Sequence, residues 1–331
     1  MTYRYRRRSH RFLFLLWCLP LLLFFLLPGE KEYPVSAEAT DSSSSSPSAE
    51  ERRITLERTD GSTVTLPLED YVCGVIAAEM PSSFHSEALK AQAVIARTYA
   101  LWKIGAAPES HDNAELCDQP GHCQAYEDEA TLRAKWGTDF EEKYKRICNA
   151  AEETAGEVLV YHDDLAEAYY HSTCGGRTAS AKEVWGEEVP YLQSVACKWD
   201  HDAPRYQQTV TVALSELPWL LGNGISPCIT VAEGESASYV PKVTSKTESG
   251  RIGTVSYAGL LFDAIDFRTA LKLNSTNFRF SSDQDTLTVT TCGFGHGVGL
   301  CQYGANGMAE NGKSYREILK HYYQKINIEN R

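Results

Sequence analysis

A helical pattern of hydrophobic positions opens the main folded region of the chain. Between residues 68 and 79 these positions recur with the i, i+3, i+4, i+7 spacing of one helical face, namely Leu68, Tyr71, Val72, Val75, Ile76 and Glu79. Glu79 is therefore a carboxylic acid on an otherwise apolar stripe. Met80 precedes Pro81, and a residue before proline is driven out of the helical region. The pattern predicts a helix that ends just after Glu79.

The neighbouring segments also carry clear secondary-structure patterns. A second helix is predicted over about 87–104, with Ser83 or Ser86 as its N-cap. Before the first helix, two alternating runs within 54–66 are joined through an Asp-Gly pair, which predicts a β-hairpin. A further helix is predicted near 139–155.

The second half of the chain is richer in alternating runs. Strands are predicted at 157–161, 165–171 and 285–291, and the segment 204–260 is predicted to form a β-rich insertion or lobe. Residues 293–307 read as a glycine-rich loop. These patterns predict an α+β fold, with mixed helices and antiparallel strands that form a substrate groove.

A capping box, Ser314 to Glu317, predicts the start of the last helix. The exported catalytic domain is predicted to span 53–331.

The N-terminal residues have the pattern of a membrane anchor. Arginines precede an uncharged apolar run at 12–27, so we predict a basic cytoplasmic stub and transmembrane helix over 1–28 and a flexible linker over 29–52. The positive flank predicts a single-pass membrane protein with its catalytic domain outside the cytoplasm. A cleaved signal peptide, with a small-residue site at 35–37, is the alternative. Either interpretation exports the rest of the chain.

Composition narrows the class of function. The 331-residue chain has a net charge of -12, which argues against nucleic-acid binding because phosphate recognition needs a basic surface. Of its ten cysteines, Cys18 lies in the apolar run and nine are in the exported part. Disulfides are the default expectation for close cysteine pairs outside the cytoplasm, although an odd number cannot all pair.

Three charged residues on the first two helices suggest chemistry. Burial of Glu79 would disfavour its charged form and raise its pKa, as a general acid working near neutral pH requires. An exposed glutamate paired with an arginine is the structural alternative. Lys90 and Arg97 lie two helical turns apart on one face, where they could bind substrate carboxylates, hold Glu79 in place or form a solvated basic face.

A short loop combines two imidazoles with two thiols. His111, Cys117, His122 and Cys123 lie within thirteen residues and could complete a tetrahedral zinc site. Such a zinc would be structural, because four protein ligands leave no position for water. The alternative is a disulfide between Cys117 and Cys123.

Several motifs closely resemble those of the stage II sporulation protein D family. They occur in one order along the chain, at 68–81, 87–100, 171–177, 184–192, 293–299 and 302–308. The resemblance implies a lytic transglycosylase that cleaves peptidoglycan glycan strands during engulfment of the forespore and leaves 1,6-anhydro-muramyl ends. It implies Glu79 as the single acid/base catalyst, without the second carboxylate of a standard glycoside hydrolase. It also favours the structural zinc in the loop.

The resemblance further implies a set of residues that bind the substrate. Lys90 and Arg97 would bind it or orient Glu79, and the groove motifs would contribute His171, Ser172, Arg177, His296 and Gln302. The glycines around His296 could instead serve tight turns alone. Cys174 as a nucleophile is a further alternative.

The resemblance also bears on partners and location, and two alternative functions stay open. The resemblance implies sporulation proteins M and P as partners, and a location in the mother-cell membrane facing the intermembrane space. The rival functions are a zinc-dependent peptidoglycan amidase, with the histidine and cysteine loop as its active metal site, and a non-catalytic cell-wall-binding module that recruits other enzymes.

Overall fold

The structure is a computed structural model that describes residues 52–106, 111, 113–222, 229–230 and 240–331. The predicted anchor and the predicted linker, apart from its last residue Arg52, lie outside these residues. Within the described ranges, no helix is both long enough and apolar enough to cross a membrane.

Short helices and strands alternate along the described part of the chain. The α-helices are α1 (Leu68–Glu79), α2 (Ser86–Ala106), α3 (Glu129–Trp136), α4 (Phe140–Glu152), α5 (Ala181–Trp185), α6 (Leu217–Gly222), α7 (Ala264–Ala270), α8 (Gln302–Glu310) and α9 (Tyr315–Tyr322). The strands are β1 (Arg53–Glu57), β2 (Thr63–Pro67), β3 (Leu116–Cys117), β4 (Glu157–Tyr161), β5 (Asp164–Leu165), β6 (Tyr170–His171), β7 (Gln207–Ala213), β8 (Ile229–Thr230), β9 (Lys242–Lys246), β10 (Ile252–Tyr257), β11 (Leu260–Asp263), β12 (Phe278–Ser282), β13 (Thr286–Cys292), β14 (Leu300–Cys301) and β15 (Asn327–Asn330).

The strands pair into small sheets, in the orders β2-β1-β3, β8-β11-β10-β9, β12-β13-β7, β14-β6 and β15-β4-β5. Most pairs are antiparallel, whereas β1 with β3 and β6 with β14 are parallel. The mixed α+β architecture with mainly antiparallel strands is therefore confirmed. The predicted hairpin is also present, since Ile54 on β1 is opposite Leu66 on β2.

Helix α2 lies at the centre of the larger hydrophobic core. It packs against α1, α4, α8, α9 and β4, and its middle residues are buried on every face. A run rich in alanine permits this close approach from several sides. The predicted N-caps of α2 are wrong: Ser86 is already helical, and the Nδ1 atom of His85 accepts a hydrogen bond from the amide of Glu87 at 3.2 Å.

A second hydrophobic cluster forms beyond residue 206. It contains buried residues of β7, α6, β10, β11, α7, β12 and β13, from Val212 to Val289. Aromatic side chains stack at its centre, where the rings of Phe267 and Phe278 lie 5.6 Å apart. The cluster therefore extends past residue 260, because the strands that follow α7 add their apolar face to it.

Two predicted elements differ from the structure. The glycine-rich segment 293–307 is not a loop throughout, since its last residues begin helix α8. Glycine is needed there for close packing: a Cβ atom on Gly304 would lie 2.4 Å from the Cys197 sulfur, and one on Gly307 would lie 2.6 Å from the Trp199 carbonyl oxygen. Of the predicted strand 165–171, the structure has only Leu165, at the end of β5, and the two residues of β6 in strands.

Candidate active-site groove

Glu79 is the last residue of α1, where Met80 turns extended and the helix stops. Its Oε1 atom accepts a hydrogen bond from the amide of Ala125 at 3.0 Å, and the Tyr170 hydroxyl is also hydrogen-bonded to the carboxyl group. Burial raises the pKa of Glu79, and these two hydrogen bonds act in the opposite direction. The raised pKa predicted from the apolar stripe is confirmed.

Glu79 lies where two adjoining cavities meet. The larger has a volume of about 500 Å³ and the smaller about 210 Å³. Residues that line both cavities are Glu79, Ser172, Phe294 and Gln302. The carboxyl group therefore faces the middle of an elongated groove, with space for a chain on either side. Among the described residues that line the groove, Glu79 is the one carboxylic acid.

An aromatic surface forms one wall of the larger cavity. Trp185, at the end of α5, is 44% exposed, and its ring lies 4.5 Å from that of Tyr169 and 5.4 Å from that of His296. Helix α5 is fixed by a capping box between Ser180 and Glu183. An exposed indole held on a rigid helix provides an apolar surface for one face of a sugar ring.

Two histidines face the same cavity in their neutral forms. His171 has its Nδ1 atom 3.1 Å from the carbonyl oxygen of Val298, which makes Nδ1 the donor and leaves Nε2 as an acceptor with no partner. His296 donates from Nε2 to the Tyr170 carbonyl oxygen at 2.9 Å, and its Nδ1 accepts from the Val298 amide. Burial lowers the pKa of both rings, that of His296 to about 4. Neither histidine therefore carries charge at neutral pH.

Strand pairing brings two more predicted residues into the groove. The parallel pair β6 and β14 sets His171 opposite Cys301, so Ser172 and Gln302 follow side by side. The amide of Tyr303 donates to the Ser172 carbonyl oxygen at 3.1 Å and holds the two segments together. His171, Ser172, His296 and Gln302 are thus all brought to the cavity that contains Glu79.

The imidazoles and thiols of the loop form one cluster. The Nε2 atom of His111 lies 3.1 Å from the Nδ1 atom of His122, and the latter lies 3.3 Å from the Cys117 sulfur and 3.6 Å from the Cys123 sulfur. Metal–ligand bonds of about 2.0–2.3 Å in a tetrahedron place such donors about 3.3–3.8 Å apart. The donor set therefore fits a zinc ion. Both thiols are free, so the alternative disulfide is not present.

This loop also forms part of the groove wall and reaches the catalytic candidate. His122 and Cys123 line the larger cavity, and the amide that binds Glu79 belongs to Ala125, two residues further on. Between them, Gln124 donates to the Tyr71 hydroxyl and accepts from the Tyr170 hydroxyl, each at 3.2 Å. The position of the loop therefore sets the hydrogen bonding of Glu79.

Comparison with known proteins assigns the family. A profile described as a stage II sporulation protein, SpoIID, matches residues 58–161. The chain is 38% identical over 326 residues to the stage II sporulation protein D of Bacillus subtilis (strain 168), which covers 95% of this chain and 92% of that protein. The chain belongs to the stage II sporulation protein D family. The family indicated by the motifs is thereby confirmed.

Two further relatives of this family member are informative. The stage II sporulation protein D of Bacillus amyloliquefaciens is 39% identical over 264 residues, covering 80% of this chain and 74% of that protein. A more distant relative, the amidase enhancer of Bacillus subtilis (strain 168), is 29% identical over 298 residues, covering 76% of this chain but 39% of that protein.

In this family member, the structure does not bring Arg97 or Lys90 to the groove. Arg97 is fully buried, with Nε 2.7 Å from Glu69 Oε1, a second contact from Nη2 to the same carboxylate, and a 3.0 Å bond from Nη1 to the Glu157 carbonyl oxygen. Lys90 pairs with Glu87 at 3.0 Å and with Glu153 at 2.6 Å. Neither residue lines the cavities that contain Glu79. Both cations instead join α2 to its neighbours, which corrects the substrate-binding or Glu79-orienting interpretation.

Two residues of the 171–177 motif also lie away from the groove. Arg177 is exposed, and its Nη1 atom is 3.4 Å from the Ser194 hydroxyl, outside both cavities. Cys174 is fully buried, and its thiol donates to Asp200 at 3.0 Å. Because a nucleophile must reach the substrate, this burial removes the Cys174 alternative. Arg177 likewise makes no contact with the groove.

Several groove residues were not predicted from the sequence. Trp185 lies within the motif at 184–192, so the sequence drew attention to its segment but not to this side chain. Tyr170 precedes the predicted groove residue His171 and gave no distinct signal. Ala125 contributes its backbone amide, which side-chain patterns cannot reveal.

Proposed function

We propose that this protein is a lytic transglycosylase that cleaves the glycan strands of peptidoglycan during sporulation. The observation that carries the proposal is a single acid, Glu79, with a raised pKa at the centre of a two-sided groove. A standard hydrolase uses two carboxyl groups about 5–10 Å apart. A one-carboxyl groove suits a reaction in which the substrate supplies its own nucleophile.

In the proposed reaction, protonated Glu79 donates its proton to the glycosidic oxygen as the bond from that oxygen to C1 of the muramyl residue breaks. The resulting carboxylate accepts the proton of the C6 hydroxyl, whose oxygen forms a new bond to C1. The products are a free hydroxyl on one strand and a 1,6-anhydro-muramyl end on the other. Glu79 is protonated again, and no water is consumed.

The surroundings of Glu79 support both halves of this cycle. Burial favours the neutral acid before the first proton transfer. The Ala125 amide and the Tyr170 hydroxyl can stabilise the carboxylate after it, because hydrogen bonds to charged groups are stronger than those to neutral ones. Trp185 supplies an apolar surface for a sugar ring. The neutral His171 and His296 line the same cavity.

We also propose that His111, Cys117, His122 and Cys123 hold a structural zinc ion. Four protein donors close the coordination sphere, so the metal would contribute order rather than an activated water. Its effect would reach the reaction through the loop that carries Ala125. A zinc-dependent amidase would need an open coordination position, which this donor set does not provide.

A second candidate function is a non-catalytic module that binds cell wall and recruits an amidase. The observation that favours it is the relative named as an amidase enhancer. The same groove would then bind strands without cutting them. Family membership further suggests, as proposals, an anchor in the mother-cell membrane and sporulation proteins M and P as partners.

Glu79→Gln separates the two candidate functions. The proposed enzyme should lose strand cleavage while still binding strands in a pull-down assay, because the amide keeps the size of the side chain but cannot donate a carboxylic proton. Glu167→Gln is the matched control, since Glu167 is a half-buried glutamate with a raised pKa that lies outside the groove. Cleavage by Glu79→Gln at the wild-type rate would disprove the catalytic assignment.

A further inference from the structure

Behind the groove lies a second set of potential metal ligands. Cys174, Cys197, Asp200 and Cys301 are all buried, and their sulfur and carboxylate donor atoms lie within 4.8 Å of one another. The four residues come from three separate segments: the turn after β6, the loop at 197–200 and the end of β14. No residue of this cluster lines the groove or belongs to the histidine and cysteine loop.

The contacts of the cluster suit anionic ligands. The Asp200 Oδ2 atom lies 3.0 Å from the Cys174 sulfur and 3.6 Å from the Cys301 sulfur. The Cys301 sulfur accepts hydrogen bonds from the amides of Cys174 and Gly304, each at 3.3 Å. Donors directed at sulfur stabilise thiolate, which is the form that binds metals.

A buried positive charge accompanies the cluster. Arg251 is 3% exposed, and its Nη2 atom donates to the Cys174 carbonyl oxygen at 2.7 Å. Its Nε and Nη1 atoms have no hydrogen-bond partner, and within the described ranges it forms no ion pair with a carboxylate. A buried cation without a counter-ion is costly. Three thiolates and a carboxylate around a divalent ion would carry a net charge of about -2 and would supply that counter-charge.

We propose that Cys174, Cys197, Asp200 and Cys301 form a second, structural zinc site. Zinc is the divalent ion that best matches three thiolates with one carboxylate, and four protein ligands again close the coordination sphere. The site would fasten together the segments that carry Ser172 and Gln302. It is independent of whether the groove cleaves or only binds strands.

Metal content of the full chain, purified with reductant and supplied with Zn²⁺, tests this site. The double variant Cys197→Ser/Cys301→Ser should bind one zinc fewer per chain than wild type by elemental mass spectrometry. Cys292→Ser is the matched control, because Cys292 is a free cysteine outside both clusters, and it should keep the wild-type zinc content.

A second measurement remains decisive if the double variant fails to fold. In a chain carrying Cys117→Ser and Cys123→Ser, Co²⁺ should still give the sulfur-to-metal charge-transfer band of a thiolate site, because the buried cluster is intact. Three results would each overturn the proposal. The first is absence of that band, and the second is an equal zinc content in Cys197→Ser/Cys301→Ser and wild type. The third is a disulfide among the three cluster cysteines in the zinc-supplied chain.

Discussion

Tyr170→Phe probes the link between hydrogen bonding and acid strength in the groove. The Tyr170 hydroxyl is hydrogen-bonded to the Glu79 carboxyl group and also lies 3.2 Å from the Gln124 side-chain oxygen. The substitution removes this hydroxyl and leaves the ring in place. Because the hydroxyl lowers the pKa of Glu79 against the effect of burial, its loss should raise that pKa further.

The size of the shift follows from the contacts. A hydrogen bond to a charged group contributes about 1.5–3 kcal/mol, and about 1.4 kcal/mol corresponds to one pKa unit. The Tyr170 hydroxyl shares its single proton between Glu79 and Gln124, and the carboxylate keeps its bond from the Ala125 amide. Both facts favour the lower end of the range. We therefore expect the substitution to destabilise the Glu79 carboxylate by about 1.5 kcal/mol and so to raise the pKa of Glu79.

The assay is the pH dependence of kcat/KM for the release of cleaved ends from peptide-free strands. Since the protonated acid is the active form, the alkaline midpoint should move upward in Tyr170→Phe. Tyr191→Phe is the control, because its hydroxyl accepts from the Glu167 amide at 2.9 Å outside the groove. An unchanged or lower midpoint in Tyr170→Phe, with Tyr191→Phe like wild type, would refute the reasoning.

Three further predictions concern stability and binding. Arg97→Ala should lower the free energy of unfolding in urea by about 3 kcal/mol, because it leaves the partly buried Glu69 without its partner. Lys90→Ala should lower it by less than about 1 kcal/mol. Equal losses in the two variants would contradict the buried role of Arg97. Trp185→Ala should weaken strand binding about fivefold in a titration, which corresponds to a lost contact of about 1 kcal/mol, and should change Tm little. An unchanged affinity would show that the aromatic wall does not bind a sugar ring. Glu79→Gln should raise Tm relative to wild type more at pH 7 than at pH 4. The pKa of Glu79 in the folded protein lies above its unfolded value of 4.5, so wild-type stability falls as pH rises from the unfolded to the folded pKa. An equal difference in Tm between the variant and wild type at both pH values would argue against the raised pKa.

The first helix shows what local pattern can predict. Its bounds and the partial burial of Glu79 follow from apolar spacing and from Pro81, because both depend on neighbours within a few turns. The cluster of the histidine and cysteine loop was equally predictable from the sequence, since its four donor residues are close along the chain. The groove residues His171 and His296 were found through motif resemblance rather than through spacing.

Tertiary packing decided the features that sequence pattern could not reach. Arg97 and Lys90 share a face of α2, but other elements surround this helix. A shared face therefore does not show which residues each side chain contacts. Arg97 meets Glu69 on α1 and backbone carbonyls of another segment. Likewise, α8 forms in a glycine-rich segment because Gly304 allows the helix to approach Cys197. Such contacts join distant parts of the chain and leave no local periodicity.

Mass spectrometry of the ends produced in water enriched in oxygen-18 tests the central claim most directly. The full chain would be incubated with purified, peptide-free glycan strands, with Glu79→Gln as the inactive control. We predict that new muramyl ends are 1,6-anhydro ends, lighter than hydrolysed ends by one water, and that they contain no oxygen-18. New reducing ends that carry oxygen-18 would show attack by water and would contradict the proposed single-carboxyl transglycosylase.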